Sequence, residues 1–201
     1  MLDVTKHGTH ADLAWKHFED FMSGFAAACE LHARAGKAGS FVECICLGAS
    51  LADAMLRVGL VLQYQLDHKT RDIPLSFVFE GPKDKAISER DIYRRAHAAS
   101  VIDETTFNKL EDLYDQRNRV IHRYVIGRIT TAEVLEIAIA YEKIITGLSD
   151  RIHDIEKEQI RRGVGITVRG PKLEGDIGRQ FVEEMADEKH TLPLAKFIRS
   201  S

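Results

Sequence analysis

The chain has 201 residues, which is enough for one domain with a full hydrophobic core and too few for two ordinary domains. Its 44% hydrophobic and 29% charged residues are typical of a globular protein and exclude the disordered, fibrous and membrane classes. The net charge of -3 excludes a strong overall positive field, so any contact with nucleic acid has to be local.

The expected compartment follows from the N-terminus, the apolar stretches and the cysteines. No signal peptide is recognisable, and the longest apolar stretch, over residues 41–66, contains charged side chains such as Asp53, so no lipid-spanning helix is expected. Cys29, Cys44 and Cys46 lack zinc-type spacing and are interpreted as small core residues in a reducing compartment. The sequence therefore predicts a cytoplasmic protein without a membrane partner.

The first half of the chain predicts two long helices. Apolar residues recur at steps of three and four from Trp15 to His32, which predicts a helix over residues 11–35 with one buried face. A break beginning at Gly36 ends this helix. The same spacing, with few polar insertions, predicts a central helix over residues 41–68.

The main loop and one short helix occupy the middle of the chain. Two prolines and a glycine place the loop over residues 71–87, within which residues 75–79 are interpreted as a short extended piece. Ser88, with Asp91 three residues later, predicts the start of a short helix that ends at Ala98.

Capping signals define two further helices. Asp103 is a favourable N-cap for a helix that is predicted to end before Gly127. Thr130 and Glu133 form a capping box that opens a long helix to about Arg162. The predicted fold class is all-α, an up-and-down helical bundle of four to five long helices.

The domain organisation is predicted from a change in amino-acid composition after the last long helix. Residues 1–162 are interpreted as the helical bundle and residues 163–201 as a C-terminal appendage, because glycine and proline become frequent at this point. The appendage contains one plausible short helix around Phe181.

The chemically specific feature of the sequence is Arg117-Asn118 followed by His122 and Tyr124. Arg followed five residues later by His is expected about 0.7 times by chance in this composition. Requiring Asn directly after the Arg lowers the expectation to about 0.007, and the Tyr lowers it further. The combination therefore supports a functional hypothesis.

Helix geometry constrains how these side chains act. Asn118 and His122 lie one turn apart, so the amide is placed to orient the imidazole. No carboxylate lies three or four residues from Arg117, which predicts no ion pair on its own helix, whereas Asp115 is placed to pair with Arg119. Arg117 and His122 diverge by ~140° around an ideal helix, so a second copy related by a two-fold axis is needed to bring both to one phosphate.

Arg-Asn-x-x-x-His near the end of the third long helix of an α-bundle resembles the HEPN superfamily, named for nucleotide binding in higher eukaryotes and prokaryotes. The Tyr two residues after the His resembles a subgroup of bacterial HEPN toxins that are paired with minimal nucleotidyltransferase antitoxins. The resemblance covers residues 11–162 as a helical pattern and residues 117–124 as a motif.

This resemblance implies a homodimeric endoribonuclease that cleaves single-stranded RNA without a metal or any other cofactor. His122 would be the general acid and base for attack by a ribose 2′-hydroxyl group on the adjacent phosphate. Arg117 would neutralise charge on the phosphoryl oxygens, and Asn118 would orient the site.

The resemblance also implies partners and a biological setting. Tyr124 would be the residue that a nucleotidyltransferase-type antitoxin modifies to silence the toxin, and Arg119 and Arg123 would contact the RNA backbone. The protein would then act as the toxin of a toxin-antitoxin or antiviral defence system.

Other interpretations remain open at this point. His122 and Arg123 also suit a role in stabilising the C-terminal end of a helix while Tyr124 packs. The protein would then be a catalytically inert HEPN-like helical module that mediates protein assembly, or a nucleotide sensor that uses Arg117 without hydrolysis.

Two further side-chain groups are weaker candidates. His7, His10, His17 and Asp12 form a loose N-terminal cluster whose spacing fits no compact metal-ligand set, so no metal site is predicted there. A basic strip with an interleaved tyrosine is either a track for RNA or an ordinary exposed helix face. Its members are Arg90, Tyr93, Arg94 and Arg95.

Overall fold

The computed structural model describes residues 10–168, which form a bundle of six helices. These are α1 (His10–Ala38), α2 (Phe41–His68), α3 (Leu75–Val78), α4 (Glu89–Ala98), α5 (Glu104–Arg123) and α6 (Thr131–Arg162). No strand lies within this part of the chain. The predicted all-α bundle is confirmed, with α1, α2, α5 and α6 as its four long helices.

Helix α2 is the centre of the bundle and contacts each of the other five helices. Two of its glycines let neighbours approach closely. A Cβ on Gly48 would lie 3.0 Å from Cβ of Tyr141 on α6, and one on Gly59 would lie 2.6 Å from Cγ1 of Val101. The small residues of α2 therefore set how closely α6 and the α4–α5 connection pack against it.

Helix α2 is also long and apolar enough to cross a membrane by length and composition. In the most apolar stretch of 18 residues, 61% is buried inside the bundle. The buried part includes residues without any exposed surface, such as Ile45, Ala52 and Leu56. Burial in a helical core accounts for this apolar composition without a lipid environment.

The predicted helix starts are confirmed by their caps. The Ser88 side chain accepts from the Asp91 N–H at 3.2 Å, and the Asp103 side chain accepts from the Thr106 N–H at 2.8 Å. Thr130 forms the full capping box at the start of α6, which ends at Arg162 as expected. Each cap satisfies N–H groups that have no partner inside their own helix.

Three local predictions were wrong. Residues 75–78 form the single helical turn α3 rather than an extended piece, because Pro74 precedes them with a φ suited to a helix start. Helix α1 continues through Gly36 to Ala38. Trp15 is 45% exposed and donates its indole N–H to Glu19 at 2.7 Å instead of joining the buried face of α1.

Residues 163–168, at the start of the predicted appendage, pack against the bundle through two buried glutamines. Gln159 donates to the carbonyl of Leu62 at 2.8 Å and to Gln65 at 3.1 Å. The N–H of Ile166 donates to Gln65 at 3.2 Å, and the Thr167 hydroxyl group donates to Gln159 at 2.6 Å. The predicted short helix around Phe181 lies outside the described residues.

Candidate active site on helix α5

Arg117 is held at the contact between α4 and α5. Its Nη1 donates to Oε2 of Glu89 at 2.5 Å, and its Nη2 donates to Oδ1 of Asn118 at 3.2 Å. The guanidinium carbon lies 4.7 Å from the centre of the Tyr114 ring. With only 15% of its side chain exposed, Arg117 is fixed by an ion pair, an amide and an aromatic face.

Two fully buried tyrosines line the inner side of this ion pair. Tyr93 donates its hydroxyl hydrogen to Glu89, and Tyr141 donates to the carbonyl of Leu113 at 3.2 Å. Burial strongly raises the pKa of both phenols. Both tyrosines are therefore neutral, and the charge in this part of the core belongs to Glu89 and Arg117.

Electrostatics keep Arg117 ionised despite its burial. Burial acts to lower the pKa of Arg117, but the hydrogen bond and the charge of Glu89 outweigh it, so the pKa is raised.

A second pair, Asp53 and Arg57 on α2, has an Nε to Oδ2 distance of 2.6 Å. Burial raises the pKa of Asp53, although Arg57 opposes that shift.

The structure changes the expected role of Asn118. Its side-chain oxygen faces Arg117, and no hydrogen bond joins Asn118 to His122 within the described part of the chain. Arg119 pairs with Glu133 at 3.5 Å instead of with Asp115. The amide of Asn118 therefore positions the guanidinium rather than the imidazole in one copy of the chain.

His122 and Tyr124 lie at the C-terminal end of α5 on the surface of the bundle. His122 and Arg123 are exposed, and Tyr124, which follows the last helical residue, is 42% exposed. Because Arg117 faces the core and His122 faces solvent, one chain does not bring the two side chains to the same place. The sequence-based estimate of their divergence agrees with this arrangement.

Four exposed apolar side chains lie close to His122 in the chain. Val125 is 94% exposed and Ile126 is 77% exposed, and Ile121 and Tyr124 are exposed beside them. We call these four residues the α5-end surface. Tyr124 also borders a cavity of about 550 Å³ beside the N-terminal end of α2. Exposed apolar residues concentrated in this way are typical of a surface that contacts another molecule.

The predicted basic strip on α4 is largely neutralised. Arg90 donates to Glu111 at 2.7 Å and lies 4.9 Å from the Tyr114 ring centre, and Arg94 pairs with Asp91. Arg95 lies over the ring of Phe77 at 5.9 Å. The interpretation as an ordinary helix face fits these contacts better than a track for RNA.

The structure describes only part of the N-terminal histidine cluster. His17 stacks on Phe79 with ring centres 3.7 Å apart. The described residues contain no group of three side chains that could hold a metal ion. His7 and the side chain of His10 lie outside the described part of the structure.

Glu89 is the residue of the site that sequence reasoning missed. It lies 28 residues before Arg117, so spacing along one helix does not reveal the pair. Its only signal was its place in the first turn of the predicted helix after Ser88. Tyr93 was noticed there, but as part of an exposed strip, whereas it is fully buried.

The chain matches no family model, no curated protein and no solved structure.

Proposed function

We propose that this protein is a metal-independent endoribonuclease of the HEPN type that acts as a homodimer. The observation that supports it most directly is the arrangement on α5. One helix holds an ionised, positioned Arg117 in its middle and an exposed His122 at its end. In RNA cleavage by a substrate hydroxyl group, an imidazole can act as acid and base, and a guanidinium can stabilise the charge on the phosphate.

In the proposed reaction the nucleophile belongs to the RNA. The imidazole of His122 takes the proton of a ribose 2′-hydroxyl group as its oxygen bonds to the adjacent phosphorus. The bond to the 5′ oxygen breaks, and that oxygen receives a proton from an imidazolium. The products are a 2′,3′-cyclic phosphate and a free 5′-hydroxyl group. Arg117 stabilises the charge on the phosphoryl oxygens.

The dimer is supported by the positions of both side chains and by the α5-end surface. Arg117 and His122 are ~7.5 Å apart along the helix axis and diverge by ~140° around it, so a complete site needs a second copy. Val125 and Ile126 are exposed directly beyond His122. A second copy related by a two-fold axis would cover this apolar surface and place two imidazoles in one cleft.

Regulation through Tyr124 is supported by its exposure. The hydroxyl group lies on a residue that is 42% exposed, two positions after His122. A nucleotidyltransferase-type antitoxin would transfer the nucleotidyl group of a nucleoside triphosphate to this oxygen, with release of pyrophosphate and of the phenolic proton. The added bulk and negative charge would block the cleft. Arg123 is exposed beside it and would contact the RNA backbone, together with Arg119. This arrangement suits the toxin of a toxin-antitoxin or antiviral system.

The ion pair of Arg117 favours a second function. Glu89 already neutralises the guanidinium, and the pair lies at the contact between α4 and α5. An inert helical module that mediates protein assembly would need only this structural role, with the α5-end surface as its interface. The two functions predict different effects of replacing His122.

The deciding experiment is cleavage of single-stranded RNA in the presence of a chelator. His122→Ala is expected to lower the rate at least about 100-fold, and Arg117→Lys about 100-fold, with cyclic phosphate as the product of the native protein. The matched control is His153→Ala, which removes an exposed histidine from α6. Absence of cleavage by the native chain, or equal rates for His122→Ala and the control, would favour the inert module.

A mixing experiment tests the shared cleft. Copies carrying His122→Ala and copies carrying Arg117→Lys are mixed after mild dissociation. A cleft built from both copies predicts that the mixture regains part of the activity that each variant lacks alone. Activity that stays at the level of the separate variants would contradict the shared cleft.

A further inference from the structure

A cleft on the far side of α5 is separate from the proposed ribonuclease site. It has a volume of about 690 Å³ and lies between the α4–α5 connection, the start of α5 and the middle of α6. Its residues on α5 end at Lys109, eight positions and ~12 Å of helix before Arg117. A volume of this size is typical of sites for small organic ligands.

The rim of the cleft carries an excess of positive charge. Lys109, Lys143 and Arg151 line it, and Asp103 is the one carboxylate among its lining residues. That carboxylate accepts the N–H of Thr106 at the start of α5. His97 also lines the cleft, and its Nε2 lies 3.1 Å from Oε2 of Glu104. Neither lysine forms an ion pair with another described residue. In a chain with a net charge of -3, three cations around one cleft form a local site for an anion.

Arg151 is fixed in the cleft by the backbone. Its Nε donates to the carbonyl of Val101 at 3.0 Å, and its Nη2 donates to the carbonyl of Ser100 at 2.8 Å. Because carbonyl groups carry no net charge, these bonds hold the guanidinium in place without neutralising it. A fixed cation of this kind needs little reordering when an anion binds.

The floor of the cleft is apolar. It consists of four buried side chains, namely Val101, Ile102, Ile144 and Leu148. An inorganic anion alone would leave this floor uncovered. A ligand that combines an anionic group with a flat apolar group would fill both parts of the cleft.

Gly147 keeps the cleft open from the α6 side. It lies within α6, where glycine is less favourable than alanine, yet an added Cβ at this position would meet no atom within 4 Å. Packing inside the bundle therefore does not require glycine here. The missing side chain instead leaves space between Lys143 and Arg151, one turn away on either side.

We propose that this cleft binds a small aromatic phosphate monoester, with the phosphate among Lys109, Lys143 and Arg151 and the ring on the apolar floor. The same phosphate chemistry occurs in an RNA strand. The three cations favour the small molecule, because a phosphate monoester carries a charge of about -1.5 to -2, whereas each backbone phosphodiester carries a single negative charge. This binding is independent of the proposed ribonuclease activity.

The test is an NMR titration of the full chain with phenyl phosphate, inorganic phosphate and phenol as separate probes. Phenyl phosphate is expected to bind more tightly than either other probe, with shifts centred on Gly147 and Lys143 that weaken as salt rises. Lys143→Gln is expected to weaken the binding of phenyl phosphate about tenfold. Gly147→Leu is expected to abolish the binding by filling the cleft.

Matched controls separate the cleft from general effects of substitution. Gly36→Leu changes a helical glycine of α1 where a Cβ also meets nothing within 4 Å, and Lys157→Gln removes an exposed lysine from the last turns of α6. Both are expected to leave the affinity for phenyl phosphate unchanged. Absence of binding up to about 10 mM phenyl phosphate, or binding that Gly147→Leu does not change, would overturn the proposal.

A fourth probe distinguishes the two sources of phosphate. A single-stranded RNA without terminal phosphates should not shift the resonances of Gly147 and Lys143. If this RNA bound in the cleft more tightly than phenyl phosphate, the assignment to a small phosphate monoester would be wrong. No step of this test depends on RNA cleavage, so its outcome is separable from that of the proposed function.

Discussion

Arg117 and Glu89 form an ion pair that joins the middle of α5 to the first turn of α4, with 2.5 Å between Nη1 and Oε2. The pair is 28 residues apart in sequence and has less than a fifth of either side chain exposed. The same guanidinium is the group that the proposed reaction uses on the phosphate. In that reaction Glu89 would both position Arg117 and compete with the RNA phosphate for it.

Replacement of Glu89 tests the structural part of this role. Glu89→Gln leaves the largely buried charge of Arg117 without its partner, so we expect a loss of about 2–3 kcal/mol of unfolding free energy. Thermal unfolding should show a drop of roughly 4–12 °C. Glu80→Gln, at an exposed position before α4, is the control and should change little. Equal melting temperatures for both variants would show that the pair contributes nothing to stability.

The α5-end surface is expected to hold the dimer together. Val125→Glu and Ile126→Glu place charges on residues that are 94% and 77% exposed, and a charge buried in an apolar interface without a partner is costly. Sedimentation should show a dimer for the native chain and a shift of at least about tenfold in the dimer dissociation constant for each variant.

Ile160→Glu is the control for this surface. Ile160 is 59% exposed but lies at the other end of α6, away from the α5-end surface. Ile160→Glu should leave the dissociation constant of the dimer unchanged. A monomeric native chain, or equal weakening by all three variants, would remove the support that this surface lends to the homodimer.

Alkaline pH is expected to destabilise the fold through Tyr93 and Tyr141. Burial raises the pKa of both phenols in the folded chain, whereas the pKa of tyrosine in an unfolded chain is about 10. Below that pH both states keep their protons and stability is unaffected. Above it only the unfolded chain releases them, so the free energy of unfolding falls by up to about 1.4 kcal/mol per pH unit for each tyrosine.

Denaturant unfolding at several alkaline pH values measures this slope. Tyr93→Phe and Tyr141→Phe should each reduce it, and the double variant should reduce it most. Tyr93→Phe should also cost about 1 kcal/mol at neutral pH, because Glu89 loses a donor. If the slope persisted in the double variant, groups other than these two tyrosines would be responsible for the loss of stability at alkaline pH.

Gly59 is expected to be essential for packing in the centre of the bundle. A Cβ there would lie 2.6 Å from Cγ1 of the buried Val101, so we expect Gly59→Ala to destabilise the fold by about 1–3 kcal/mol. Gly36→Ala is the matched control in α1, where no atom lies within 4 Å of the added group. It should instead stabilise the fold by about 0.5–1 kcal/mol. Denaturant midpoints compare the two, and a neutral Gly59→Ala would contradict the close packing.

The helices themselves follow from signals that lie close together in the sequence. Apolar residues at steps of three and four mark the buried faces, and a capping residue such as Asp103 or Thr130 lies three residues before the N–H that it satisfies. Residues this close in sequence are also close in a helix, so their interaction was predictable before the fold was known. The all-α class and the starts of α4, α5 and α6 were therefore determined by the sequence alone.

Only the tertiary structure decided which side chains meet. Whether Arg117 has a carboxylate partner depends on how α4 packs against α5, and whether Trp15 is buried depends on which neighbours cover α1. Such contacts join residues that are distant in sequence and result from the packing of whole helices. The motif on α5 was readable from spacing, whereas its ion pair with Glu89 and the basic cleft around Gly147 exist only because the bundle brings separate helices together.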